Sequence, residues 1–230
     1  MKLSRIFLWA ACVAVGFTLI AGRSNAQGYL RTITFDGPPH VPPGTDIGVG
    51  YYYEDSMTFT PIQTGGQFGR MGGGRDAFPQ NGTAYLILAF GDTLAGYRTQ
   101  LPTPSHFGLS SVDLAEFSTL YNFPATIQFF GYRADGSTVT TSFTTDGIID
   151  GTGPLADFQT FYFGQEFADI VRFEVPGNTY SLDNLVFFDV VPEPTTGALF
   201  LLGAGALWLM RAGKRKGSIP SNDTNSPPKK

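Results

Sequence analysis

Cysteine is almost absent: Cys12 is the only one in 230 residues, and it lies in an apolar run near the N-terminus. Without that run the chain has no thiol for an internal disulfide or a thiolate metal site, so stability must come from packing. Histidine is nearly as scarce. His40 sits among Pro38, Pro39, Pro42 and Pro43, and His106 follows Pro104 by two residues, so both read as loop positions. Lysine is missing between Gln27 and Val191, where seventeen acidic residues face six arginines for a formal charge of −11. Phosphate backbones need Lys and Arg to displace their counterions, so this balance excludes nucleic acid as a partner. It suits solubility, neutral sugars or calcium. No Gly-x-Ser-x-Gly turn and no His-Glu-x-x-His helix occurs, so no catalytic residue is assigned. Carboxylates are plentiful, but a glycosidase pair needs a separation of about 5 to 10 Å that position along the chain does not specify.

Apolar residues concentrate at the two ends. Lys2 and Arg5 precede an apolar stretch over residues 6–21, and Ser24-Asn25-Ala26 places small residues where a signal peptidase cuts. Residues 1–26 therefore read as a signal peptide, with cleavage between Ala26 and Gln27. A second apolar stretch, residues 195–210, would span about 24 Å as a helix, a short but workable membrane crossing. Arg211, Lys214, Arg215 and Lys216 follow it, which places the C-terminus in the cytoplasm and the rest of the chain outside. The N-terminal signal predicts the same topology. Residues 217–230, rich in Ser, Asn and Pro, read as a disordered polar tail.

Val191-Pro192-Glu193-Pro194, the apolar stretch and the basic cluster together resemble the PEP-CTERM sorting signal of exported bacterial proteins. The resemblance covers residues 191–216. It implies that an exosortase, a membrane-embedded enzyme of transpeptidase type, recognises Pro192, Glu193 and Pro194, and it places the protein in the cell envelope or at the surface. The motif suits that role, since Pro192 and Pro194 hold the chain extended and remove backbone donors on both sides of Glu193. The polar tail departs from the family pattern, whose members end soon after the basic residues.

Residues 27–190 read as an all-β domain. Short β-branched and aromatic runs are cut by Gly, Pro, Asp and Asn, with no long amphipathic helix. Strands are expected over 29–35, 84–90, 107–114, 126–133, 138–144, 160–163, 170–175 and 181–190, enough for two packed antiparallel sheets. Asp135-Gly136 predicts a tight hairpin, with Ile127, Phe129, Val139 and Phe143 on its buried face. Pro176-Gly177-Asn178 predicts a turn between the last two strands. Glycine-rich residues 63–81 read as a long mobile loop. Asp146, Asp150 and Asp157 lack EF-hand spacing and read as solvated loop acids. Tyr51, Tyr52 and Tyr53 could stack on a pyranose, but core packing is the expected fate of most of them, and period two turns Tyr52 opposite to Tyr51 and Tyr53.

Thr34-Phe35-Asp36 and Ser181-Leu182-Asp183-Asn184-Leu185 resemble the outer strands of jelly-roll domains in carbohydrate-binding modules and many PEP-CTERM proteins. The resemblance implies a jelly-roll β-sandwich. Some such modules hold a structural calcium between early and late strands, which makes Asp36, Asp183 and Asn184 candidate oxygen ligands. Otherwise Asp36 starts the Asp-Gly-Pro turn, and Asp183-Asn184 bonds neighbouring backbone. The expectation is an exported, non-enzymatic surface or matrix protein that binds extracellular polysaccharide. A secreted carbohydrate-active enzyme on a jelly roll and a structural adhesin are the alternatives.

Overall fold

Alternation of apolar and polar residues over short runs yields strands wherever one face can be buried. The computed structural model describes residues 26–88, 93–98, 105–149, 157–177 and 179–191, which form thirteen strands. In chain order these are β1 (Ala26–Ile33), β2 (Asp46–Val49), β3 (Tyr52–Glu54), β4 (Met57–Pro61), β5 (Phe68–Met71), β6 (Tyr85–Leu88) and β7 (Thr93–Arg98). They continue with β8 (Phe107–Glu116), β9 (Thr126–Tyr132), β10 (Thr138–Thr144), β11 (Gln159–Tyr162), β12 (Arg172–Pro176) and β13 (Tyr180–Val191). The helical content among the described residues is two single 3-10 turns, Thr119–Tyr121 and Gln165–Phe167. Ala26 and Gln27, the expected cleavage site, open β1. The sorting motif Pro192-Glu193-Pro194, the expected span 195–210 and the tail lie outside the described residues. No helix among the described residues is long and apolar enough to cross a membrane.

One sheet has the order β11-β8-β13-β6-β5-β2, with β1 also on β13; the other runs β10-β9-β12-β7-β4-β3. The neighbouring strands in these two orders pair antiparallel, and the chain switches sheets repeatedly, as in a jelly roll. The core between the sheets is aromatic, with Phe59, Phe107, Phe129 and Phe173 fully buried and in tilted or edge contact. The hairpin at Asp135-Gly136 forms as expected. Gly136 has φ +84°, and Arg133 and Ser137 close the turn through a 2.9 Å backbone bond. Ile127 and Phe129 are buried, and Val139 and Phe143 pack against the core.

Five strands lie where none was expected. The β3–β4 hairpin turns on Asp55-Ser56, both with positive φ (44° and 70°), so the usual glycine marker is missing. In β7, Gly96 weakens the strand pattern, yet a Cβ there would come within 2.3 Å of the Phe173 ring. Only glycine admits that close approach.

Residues 63–81 differ most from expectation. They contain β5, and the segment after it folds over the outer face of the seven-stranded sheet, where Met71, Tyr85 and Ile87 pack with Phe78, Phe117 and Phe158 in a second cluster. The glycines permit tight folding rather than mobility. Gln80 ties this cover together, accepting from Gly74 N at 2.6 Å and donating to the carbonyls of Arg75 and Phe78 at 2.7 and 3.1 Å. Asp157, expected to be solvated, is buried and accepts from Gln80 N at 2.8 Å. Asp150 lies outside the described residues.

Candidate functional site

The position of β3 is set from the core side. Tyr52 is buried and its hydroxyl donates to Glu54 at 2.7 Å, while the Glu54 carboxylate also accepts from Thr34 N, Thr34 Oγ1 and Phe35 N at 3.3, 3.0 and 2.9 Å. Burial and the adjacent Glu54 carboxylate push the Tyr52 phenol well above its ordinary range, so it stays a neutral donor. Beneath its ring, 4.3 Å from the centroid, lies the guanidinium of Arg70 from β5, which is fully buried. Arg70 donates to the carbonyls of Pro39 at 2.7 Å and Gly37 at 2.8 Å, and to that of Phe35. With Tyr52 and Glu54 held inward, alternation turns Tyr51 and Tyr53 outward, 57% and 47% exposed.

Register then carries Tyr53 into a row across the outer face of the six-stranded sheet. Tyr53 pairs with Thr58, Thr58 with Tyr97, Tyr97 with Arg172, and Arg172 with Tyr132. Members of a register row share one face, so five strands contribute to a line perpendicular to their own direction. At about 4.8 Å per strand, Tyr53 and Tyr97 stand roughly 10 Å apart and the row is roughly 19 Å long. Thr58 between the first two tyrosines is buried.

The far end of the row is polar. Arg172 lies over one face of the Tyr132 ring at 4.5 Å and pairs with Glu174, whose other oxygen accepts from the Tyr132 hydroxyl at 2.7 Å. That bond to Glu174 raises the Tyr132 phenol above its usual range and leaves the hydroxyl protonated. Phe130 lies on the same face, opposite Glu174 in the next row. The surface therefore combines aromatic rings for stacking with a guanidinium and a carboxylate for hydroxyl groups. Of these residues, sequence reasoning singled out only Tyr53 and its neighbour Tyr51. Tyr132 was legible in principle, since the 126–133 alternation places it opposite Ile127 and Phe129. Tyr97 and Arg172 gain meaning only from register.

The expected calcium residues lie elsewhere. Asp36 accepts from Ala84 N at 2.8 Å and lines a small cleft of ≈160 Å³ with His40, Gly82 and Thr83. Asp183, fully buried on β13, accepts from Asn81 Nδ2, from Thr83 Oγ1 at 3.1 Å and from Asn184 N at 2.8 Å. Adjacent Thr83 and Ala84 thus link Asp183 and Asp36. The Asn184 side chain turns instead to Asp113, to which it donates at 2.8 Å. The groups around Asp183 are N–H and O–H donors, which fit a hydrogen-bonded carboxyl. No three His, Cys, Asp or Glu side chains converge on one point among the described residues.

Burial pushes the Asp183 carboxyl up to about 8; its three hydrogen bonds oppose the shift and nearby Asp36 adds to it. The folded state therefore holds this proton at a pH where the unfolded chain has released it. Stability from this group is fully present below its ordinary value of 3.8 and is lost as pH rises to about 8. In chelator, Asp183→Asn is expected to flatten the decline in Tm across that window and to raise Tm at pH 8. An unaltered pH profile would remove the buried-proton account. Calcium held by Asp36 and Asp183 would instead show as a wild-type Tm at pH 8 that climbs with calcium concentration.

No protein-family model matches the chain, and no curated protein does. Among solved structures, the fold is similar to a family 11 carbohydrate-binding module from Clostridium thermocellum in complex with a beta-1,3-1,4-mixed-linked tetrasaccharide, at 9% identity over 71% of this chain and 98% of that one, with a TM-score of 0.29. It is also similar to the family 11 module of the cellulosomal cellulase Lic26A-Cel5E of Clostridium thermocellum, at 8% identity over 72% and 99%, with a TM-score of 0.26. Likeness at that level carries no argument about ligand.

Proposed function

We propose that the outer face of the six-stranded sheet binds an extended polysaccharide laid across the strands, without cleaving it. The observation that carries this reading is the register row Tyr53–Thr58–Tyr97–Arg172–Tyr132, which lines up one exposed ring, two half-buried rings and a guanidinium from five strands on one face. The apolar face of a pyranose stacks on an aromatic ring, and the Tyr53–Tyr97 spacing of roughly 10 Å matches two sugars of an extended chain. Arg172 and Glu174 supply a donor and an acceptor for hydroxyls beside the second ring. A body charge of −11 favours neutral glycans over polyanionic ones. Titration of a glycan panel against the wild type and Tyr97→Ala tests the reading, with product analysis of the same mixtures separating binding from turnover.

The chain is exported, held by residues 195–210 and sorted through Pro192-Glu193-Pro194 by an exosortase, which places the glycan-binding face outside the cell. What supports this is the order of signal, motif, apolar stretch and basic cluster in one chain. Expression in an exosortase-containing host is expected to give a mature protein that starts at Gln27 and lacks everything beyond the Pro-Glu-Pro region, read by mass spectrometry of both termini. Retention of residues 195–216 in the inner membrane would reduce the segment to a plain anchor.

A further inference from the structure

β10 is the terminal strand of the six-stranded sheet. It pairs with β9 in unbroken register from Thr138↔Tyr132 to Thr144↔Thr126, and among the described residues no strand pairs with its other side. Of the other strands with one partner, β3 has three residues and β2 and β11 have four each, against seven in β10, and the eight-residue β1 carries the charge of Arg31. Edge strands are normally protected from pairing by charge, proline, a bulge or brevity. β10, with the sequence Thr-Val-Thr-Thr-Ser-Phe-Thr, has none of these. The nearest acids, Asp135 and Asp146, flank it without interrupting it. On its inner face Phe143 stacks on Phe161 at 5.2 Å, which closes the gap between the sheets and leaves the backbone edge open.

We propose that β10 pairs antiparallel with β10 of a second copy of this chain, joining two six-stranded sheets into one. A strand paired antiparallel with itself is self-complementary about a two-fold axis, the commonest closed symmetry. An uncharged edge carries nothing to select a charged partner. Elsewhere the body's excess of acids makes copies repel, so the neutral seam is where they can meet. The axis of such a pair stands perpendicular to the sheet, so the outer faces of both copies lie on the same side. Two Tyr53-to-Tyr132 rows would then address one polysaccharide surface and bind it bivalently. This last consequence rests on the glycan reading; the seam does not.

The test uses the full-length protein in detergent and sedimentation velocity. The wild type is expected to dimerise. Thr140→Lys with Ser142→Lys changes two exposed outer-face side chains and sets like charges opposite one another across the seam. The expected result is dimerisation weakened about tenfold or more. The Glu pair at the same positions should behave alike, and mixing the Lys and Glu forms should restore a dimer. Unchanged thermal melts establish that both forms fold. A wild type that stays monomeric, or a dimer that persists in the Lys form, overturns the proposal. If the dimer behaves as expected but neither form binds any glycan, the glycan reading fails and the seam stands.

Discussion

Replacing Arg70 with methionine is expected to lower the free energy of unfolding by about 3–5 kcal/mol, a large part of the 5–15 kcal/mol typical of a domain. Methionine fills similar volume but donates nothing. The carbonyls of Phe35, Gly37 and Pro39 lose their guanidinium donors in a buried setting, where an unsatisfied polar group costs about 1–3 kcal/mol. The Tyr52 ring loses the cation beneath it, and the chain leaving β1 loses its tie to β5. Lysine keeps the charge but cannot reach several carbonyls with one planar fork, so Arg70→Lys should recover well under half of the loss. Equilibrium urea unfolding followed by circular dichroism measures both variants. A loss below about 1 kcal/mol for the methionine form would mean that water replaces the guanidinium easily, and that this network does not hold β3 in place.

Tyr97→Ala is expected to weaken binding of the best-bound neutral polysaccharide about tenfold or more, equivalent to about 1.4 kcal/mol and within the range for an aromatic anchor. Tyr97 lies in the middle of the row, flanked by Thr58 and Arg172, so its ring is the one an extended chain cannot avoid. Tyr53→Ala should cost a similar factor, and the double variant should leave little binding if both rings stack on one chain. Tyr97→Phe should bind nearly as the wild type, because stacking uses the ring and not the hydroxyl. Arg172→Ala removes a donor and uncovers one face of Tyr132, so its effect should depend on which hydroxyls the glycan presents. Calorimetry on the wild type and these variants, with melting curves as a folding control, reads each outcome. A dissociation constant unmoved by loss of both Tyr53 and Tyr97 would sink the proposed face, even if a glycan binds.

Several features were legible before any fold was known, because they depend on neighbours in the chain. Alternation over 126–133 and 138–144, with Asp135-Gly136 between, specified the β9–β10 hairpin and its buried side. The same period of two set Tyr52 opposite Tyr51 and Tyr53. Residues 63–81 misled for the converse reason, since glycine signals backbone freedom equally in a mobile loop and in a tightly folded cover. Asp157 looked like a loop acid because its partner, the amide of Gln80, is 77 residues away.

By itself the sequence determined an apolar stretch at each end, a lysine-free acidic body, its all-β character and most of its longer strands. Those properties follow from composition and from local period. The tertiary structure alone decided that Arg70 is a buried tie, that β10 ends a sheet, and that Tyr53, Tyr97, Arg172 and Tyr132 stand in one row. Alternation tells each side chain which face it takes. Which strand lies beside which, and in what register, follows from burying all the apolar faces at once, and no single segment contains that information.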